Sequence, residues 1–93
     1  MRGNSLAACF EDGLVYRGEP VRGIKNFNIP NVMSAADCQK ECQKDNDCRF
    51  WTWNSPNFRR KKNTCWLKAG KGEERTISGK ISGPRTCKPY ILL

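Results

Sequence analysis

Cys9, Cys38, Cys42, Cys48, Cys65 and Cys87 are the residues of this chain whose chemistry is most constrained. Thiols at this density can cross-link as disulfides, hold zinc or act as nucleophiles. The chain contains no histidine. That removes the commonest general base, the Cys-His nucleophile pair and the commonest zinc ligand. Three, five and sixteen residues separate Cys38, Cys42, Cys48 and Cys65 in turn, unlike the C-x2-C pairs of zinc sites. An even number of cysteines in a short chain reads as a disulfide framework, which forms in an oxidising compartment. The expectation is a secreted binding or structural module without catalysis, metal or cofactor.

Charge gives the second candidate chemistry. The net charge is +8, and it is one-sided. Residues 1–48 carry six Lys/Arg against seven Asp/Glu, and residues 49–93 carry eleven against two. Such a field attracts sulfated glycans, anionic lipid, nucleic acid or an acidic protein. The disulfide argument makes nucleic acid the least suitable of these. Arg59, Arg60, Lys61 and Lys62 form an unbroken cationic run. Four adjacent cations on a loop make an anion-binding patch, and sulfates suit arginine forks. The bland alternative is a solvated loop. Lys68, Lys71, Arg75, Lys80 and Arg85 are candidates to extend the patch.

Trp51, Trp53 and Trp66 are candidate stacking platforms for sugars or candidate core residues. Trp51 and Trp53 alternate, so they share a strand face and read as core. If Cys65 points inward, Leu67 does too and Trp66 points away, where an open ring would be a hot spot. Gly70-Lys71-Gly72 and Gly79-Lys80 fail as phosphate loops, the first for want of a strand-then-helix context and the second because Ile81 stands where Ser or Thr is needed. The carboxylates Asp45, Asp47, Glu73 and Glu74 fall in polar turns and suggest no acid–base pair.

These residues need elements to hold them. Ninety-three residues make one small domain, whose core gains stability from disulfides worth about 2–4 kcal/mol each. No apolar run approaches the roughly 20 residues of a membrane span, and residues 1–8 have no apolar signal core. Residues 1–8 read as a linker or appended tail, 9–87 as the domain, and 88–93 as a C-terminal tail. The segment 9–29 reads as extended, with Leu14-Val15-Tyr16 and Val21 to Phe27 flanking a turn at Gly18-Glu19-Pro20.

Ser34 is a good N-cap with Asp37 three residues on, and predicts a helix through Lys44 that carries Cys38 and Cys42 on one face. Cys48 to Trp53 and Cys65 to Lys68 read as strands, joined by a polar loop from Asn54 to Asn63. Ala69 to Arg75 reads as a loop. Thr76 to Pro84 carries turn signals at Ser78-Gly79 and Ser82-Gly83-Pro84, with a last short strand at Cys87. One helix among several short strands is α+β.

Six cysteines allow fifteen connectivities, and spacing alone selects none. Cys38 and Cys42 would splay rather than bond across one helix face. The polar turn from Gln43 to Asp47 could close a small loop between Cys42 and Cys48, leaving Cys38 to reach a strand through Cys65 and Cys9 to meet Cys87.

The order of these features resembles a family. An early cysteine is followed by Ser34-Ala35-Ala36-Asp37-Cys38 with Cys42 one turn on, then Cys48 and Trp51-Thr52-Trp53, then Cys65-Trp66-Leu67-Lys68, then Ile81-Ser82-Gly83-Pro84 before Cys87. This is similar to a PAN/apple domain, and the Ser-Gly-Pro-Arg-Thr-Cys ending is most similar to apple domains of microneme adhesins from apicomplexan parasites. The resemblance implies a five-stranded antiparallel sheet cradling one helix, with disulfides Cys9–Cys87, Cys38–Cys65 and Cys42–Cys48. It also implies a non-catalytic extracellular module, secreted through micronemes and one of several tandem domains. Its partners would be proteins of an adhesin complex or host-cell surface glycans, with no nucleic acid and no membrane insertion. For the glycan alternative the candidate residues are Arg59, Arg60, Lys61, Lys62, Trp66 and Lys68. A protease-inhibitor or toxin-like scaffold has no support beyond cysteine density.

Overall fold

The computed structural model of the chain describes residues 9–23 and 27–87. The two tails read from sequence, 1–8 and 88–93, lie outside the described residues. In chain order the elements are β1 (Glu11–Tyr16), a 3-10 turn (Val21–Gly23), β2 (Asn28–Ile29), α1 (Ala35–Lys44), β3 (Phe50–Asn54), β4 (Thr64–Lys68) and β5 (Glu74–Pro84). The strands form one antiparallel sheet in the order β1-β5-β3-β4-β2, with α1 packed on one face. Among the described residues no helix is long and apolar enough to cross a membrane.

The helix begins where its cap dictates. Ser34 is extended, and its Oγ accepts from the Asp37 backbone N–H at 3.0 Å. Asp37 in the first turn and Lys44 in the last complement the helix dipole. The inner face presents Ala35, Cys38 and Cys42, all buried. Cys38–Cys65 fastens that face to β4, Cys42–Cys48 fastens the helix end to the approach of β3, and Cys9–Cys87 joins the two ends of the described fold. All six cysteines are in disulfides.

Trp51 and Trp53 point at the helix side, as their alternation predicts, and enter the core with Val21, Val32 and Leu67. Indoles can be buried because their N–H groups find acceptors. Trp51 Nε1 donates to the Pro84 carbonyl at 2.8 Å, and Trp53 Nε1 donates to the Val32 carbonyl at 2.7 Å. Phe10 meets the Trp51 ring edge to face, with centroids 5.0 Å apart. Gly83 on β5 lies directly against Trp51. A Cβ there would stand 2.6 Å from Trp51 Cζ2, and Trp51 is fully buried. Gly83→Ala is therefore expected to cost about 2 kcal/mol, read from urea unfolding. A loss under about 0.5 kcal/mol would mean that the ring is free to move aside.

Three local expectations are corrected. Thr76 to Pro84 is not a string of turns. It belongs to an eleven-residue strand that absorbs Glu74 and Arg75 from the expected loop. Pairing with both β1 and β3 overrides its weak strand propensity. The Ser78-Gly79 turn signal is used inside the strand: Asp12 pairs with Ile81 but Leu14 pairs with Thr76, so residues between them bulge, with Gly79 at φ 93°. Second, Val21–Gly23 is a 3-10 turn, with Arg22 at φ 52°, rather than the start of a strand. Third, Cys87 lies beyond the last strand.

Candidate functional site

The sheet face turned away from α1 carries Thr52, Trp66, Lys68, Lys80 and Ser82, because these residues oppose one another across β3, β4 and β5. The face is only partly polar. Thr52 Oγ1 and Ser82 Oγ share a hydrogen bond of 2.7 Å, Ser82 Oγ donates to the Leu14 carbonyl at 2.6 Å, and the Tyr16 N–H donates to Thr52 Oγ1 at 3.2 Å. These buried bonds lock β1, β3 and β5 together under the face.

After β1 the chain crosses towards β4. Pro20 bridges to Lys68, and the Ala69 N–H donates to the Glu19 carbonyl at 2.6 Å. This crossing segment walls an open cavity of about 400 Å³. Val15, Thr52, Leu67 and Ile77 contribute to the lining, Phe27 and Trp66 add aromatic walls, and Arg17, Lys68 and Lys80 supply charge. Lys80 Nζ lies 4.5 Å from the Phe58 ring centroid and 5.3 Å from that of Trp66, so two π faces hold the ammonium in place.

Among the described residues no carboxylate lines the cavity. The described ion pairs lie elsewhere: Asp45 and Asp47 with Arg22, Glu41 with Lys44, and Glu74 with Lys71. Burial, then Arg17 and Lys80, pull the Lys68 ammonium below its usual range. Burial, then Arg17, do the same to Lys80. An anion lodged among them would oppose both shifts by favouring the charged lysines. Anion binding is thus expected to take up protons and to weaken as pH climbs through the depressed lysine range, which calorimetry in buffers of different ionisation heat reads directly.

The cationic run sits differently. Arg59, Arg60, Lys61 and Lys62 are all exposed on the loop between β3 and β4. That loop is ordered by its backbone: Ser55 N–H donates to the Gly79 carbonyl, Asn63 N–H to the Asn54 carbonyl, and Asn54 Nδ2 to the Arg60 carbonyl. Phe58, one residue before the run, reaches the cavity through its contact with Lys80. The fold brings Trp66, Lys68 and Lys80 to one cavity.

Lys71 instead pairs with Glu74 at 2.9 Å and lies over the Tyr16 ring. Tyr16 itself, buried and bonded to Glu11, has its hydroxyl pKa pushed well above the usual range, by burial first and then by that bond. Arg85 leaves the patch altogether. Its guanidinium donates to the carbonyls of Cys42, Gln43, Asp45 and Cys48 at 2.6–3.0 Å. Arg17 was not singled out from sequence. Its position follows only from the chain crossing from β1 to β4, and the local signal was a single cation before Gly18-Glu19-Pro20.

Known proteins share this fold. The family model described as PAN domain matches residues 16–68. Microneme antigen L2 of Sarcocystis muris is 38% identical over 64 residues, which cover 69% of this chain and 43% of that protein. Coagulation factor XI of Bos taurus is 34% identical over 65 residues, covering 68% of this chain and 10% of that protein. Among solved structures, the two N-terminal apple domains of Toxoplasma gondii microneme protein 4 superpose with a TM-score of 0.60 at 28% identity, over 83% of this chain and 44% of that one. A PAN module from Eimeria tenella gives 0.55 at 29% identity, over 91% and 84%. The chain spans less than half the length of the curated relatives named here. With a helix tied by disulfides to β4 and to the approach of β3 of a five-stranded sheet, and the family model covering more than half of the chain, the protein belongs to the PAN domain family.

Proposed function

We propose that residues 9–87 are a non-catalytic extracellular recognition module of a larger secreted adhesive protein, and that it binds an anionic ligand at the sheet face opposite the helix. The observation that carries this reading is the cavity lined by Arg17, Lys68 and Lys80, with no carboxylate among the described residues of its walls. With every cysteine in a disulfide and no histidine in the chain, neither a thiolate nor an imidazole is available for chemistry. The likeness to microneme antigens supports a role in adhesion and a route through the micronemes. As one of several tandem modules, a weak site would gain through effective concentration.

The sequence favoured a protein partner. The geometry favours an acidic glycan, because Met33, at 66% exposure, is the one large hydrophobic side chain left open among the described residues. That is little for a protein docking surface. Docking within an adhesin complex is the second reading, with Met33 as its anchor.

The test is an array of neutral, sialylated and sulfated glycans probed with the oxidised module at two salt concentrations. Acidic hits that fade with salt are expected. A blank array, together with a protein cross-linked to the intact parent, would transfer the assignment to the second reading. Salt-insensitive neutral hits would overturn the anionic ligand.

A further inference from the structure

We infer that the cavity between Arg17, Lys68, Lys80 and Trp66 is a subsite for a single carboxylate or sulfate carried on a saccharide ring, and that the exposed Arg59–Lys62 run only steers such ligands towards it. This rests on the recognition reading above and adds to it that one anionic group on a ring is what the cavity holds, with the cationic loop confined to steering.

Four observations lead there. First, the cavity is small. About 400 Å³ lies near the lower end of the range for small-ligand sites, enough for a ring or two and too little for a folded segment. Second, its cations come from three separate parts of the chain: the crossing segment after β1, β4 and β5. Crowding like charges opposes folding, and no ion pair among the described residues compensates for it. Third, Lys80 is fixed between Phe58 and Trp66, so its donors are positioned before a ligand arrives. Fourth, apolar and aromatic walls adjoin the cations. A saccharide ring offers C–H faces to the walls and an acidic substituent to the ammonium groups.

The four cations of the loop lack these features. They are exposed, and no aromatic ring among the described residues stacks under any of them. Exposed cations raise the encounter rate and the salt dependence more than they fix a ligand.

The experiment titrates the oxidised protein with four probes: a heparin-derived tetrasaccharide, sialyllactose, uncharged lactose and inorganic sulfate. Calorimetry reads affinity, and NMR reads the Trp66 indole and the lysine ammonium region. The two acidic saccharides separate sulfate from carboxylate as the source of the anion.

The better acidic saccharide is expected to lose at least about tenfold in affinity in the Lys68→Gln/Lys80→Gln double variant. It should also lose in Arg17→Gln, where the side chain is exposed and the stability is expected to change little. Neutralising Arg59, Arg60, Lys61 and Lys62 together is expected to cost less than about fivefold and to flatten the salt dependence. Sulfate alone should shift Trp66 in the parent protein and not in the double variant.

The inference is overturned if the loop variant abolishes binding while the pocket variants keep it. It is equally overturned if lactose binds as well as sialyllactose, or if an acidic peptide of equal charge competes better than either saccharide. Sulfate shifts at Trp66 with no saccharide binding would keep the anion site, reject its saccharide class and leave the recognition reading to its own test.

Discussion

Replacing Cys38 and Cys65 together by Ala is expected to remove about 4 kcal/mol of stability and lower the melting temperature by roughly 20 °C. The bridge spans 27 residues, which in the chain-entropy account is worth about 3.5 kcal/mol. Both sulfurs are fully buried between α1 and β4, so their loss also leaves unfilled space in the core. The matching control is the Cys42–Cys48 pair. That bridge closes only six residues, and its removal should cost nearer 2 kcal/mol. Calorimetric melting of the two double variants, with the remaining bridges oxidised, provides the comparison. Cys42 and Cys48 are buried as completely as the first pair, so equal losses would mean that loop length does not govern the contribution of these bonds.

Arg85→Ala is expected to cost about 3 kcal/mol, a melting shift of roughly 15 °C, although the residue looks from sequence like one more surface cation. Its two terminal nitrogens converge on four carbonyls, those of Cys42, Gln43, Asp45 and Cys48. The Gln43 carbonyl lies in the last turn of α1, where the helix supplies no N–H further along, whereas the Cys42 carbonyl also accepts from the Asp45 N–H at 3.1 Å. The positive charge also sits at the negative end of the helix dipole. Arg85 is clasped in turn: Gln43 Nε2 donates to its carbonyl at 2.9 Å, and its own N–H donates to the Arg49 carbonyl at 2.8 Å. Arg85→Lys keeps the charge and loses the fork, so it should recover less than half of the loss. Full recovery by lysine in a thermal melt would show that charge alone acts there.

These cases mark how far local pattern reaches. The helix was legible because its signals lie within one turn of each other: Ser34 as cap, Asp37 at the start, Cys38 and Cys42 on one side. Trp51 and Trp53 were legible as core because strand alternation is local too. The length of β5 was not, because its partners are remote. Ser82 bonds to Leu14 across 68 residues, and only that pairing tells a Ser-Gly bulge from a Ser-Gly turn. The cavity failed for the same reason. Lys68 and Trp66 were named from sequence, but Arg17 joins them only after the chain crosses the sheet. Arg85 was misplaced because carbonyls leave no mark in a sequence; the acceptors of its fork come from backbone, whatever the side chains are.

The Cys9–Cys87 bridge has a mechanical consequence. It brings two residues 78 apart in sequence to a Cα separation of 5.7 Å. A pull applied to the chain on its outer sides travels through the covalent link and bypasses the sheet, the helix and the cation-lined cavity. Shear that would peel strands from an unbridged module therefore leaves this one at its resting length with its binding face intact. Reduction of that one bond would turn the module from a rigid bead into an extensible spring, a difference that single-molecule stretching would register as added contour length.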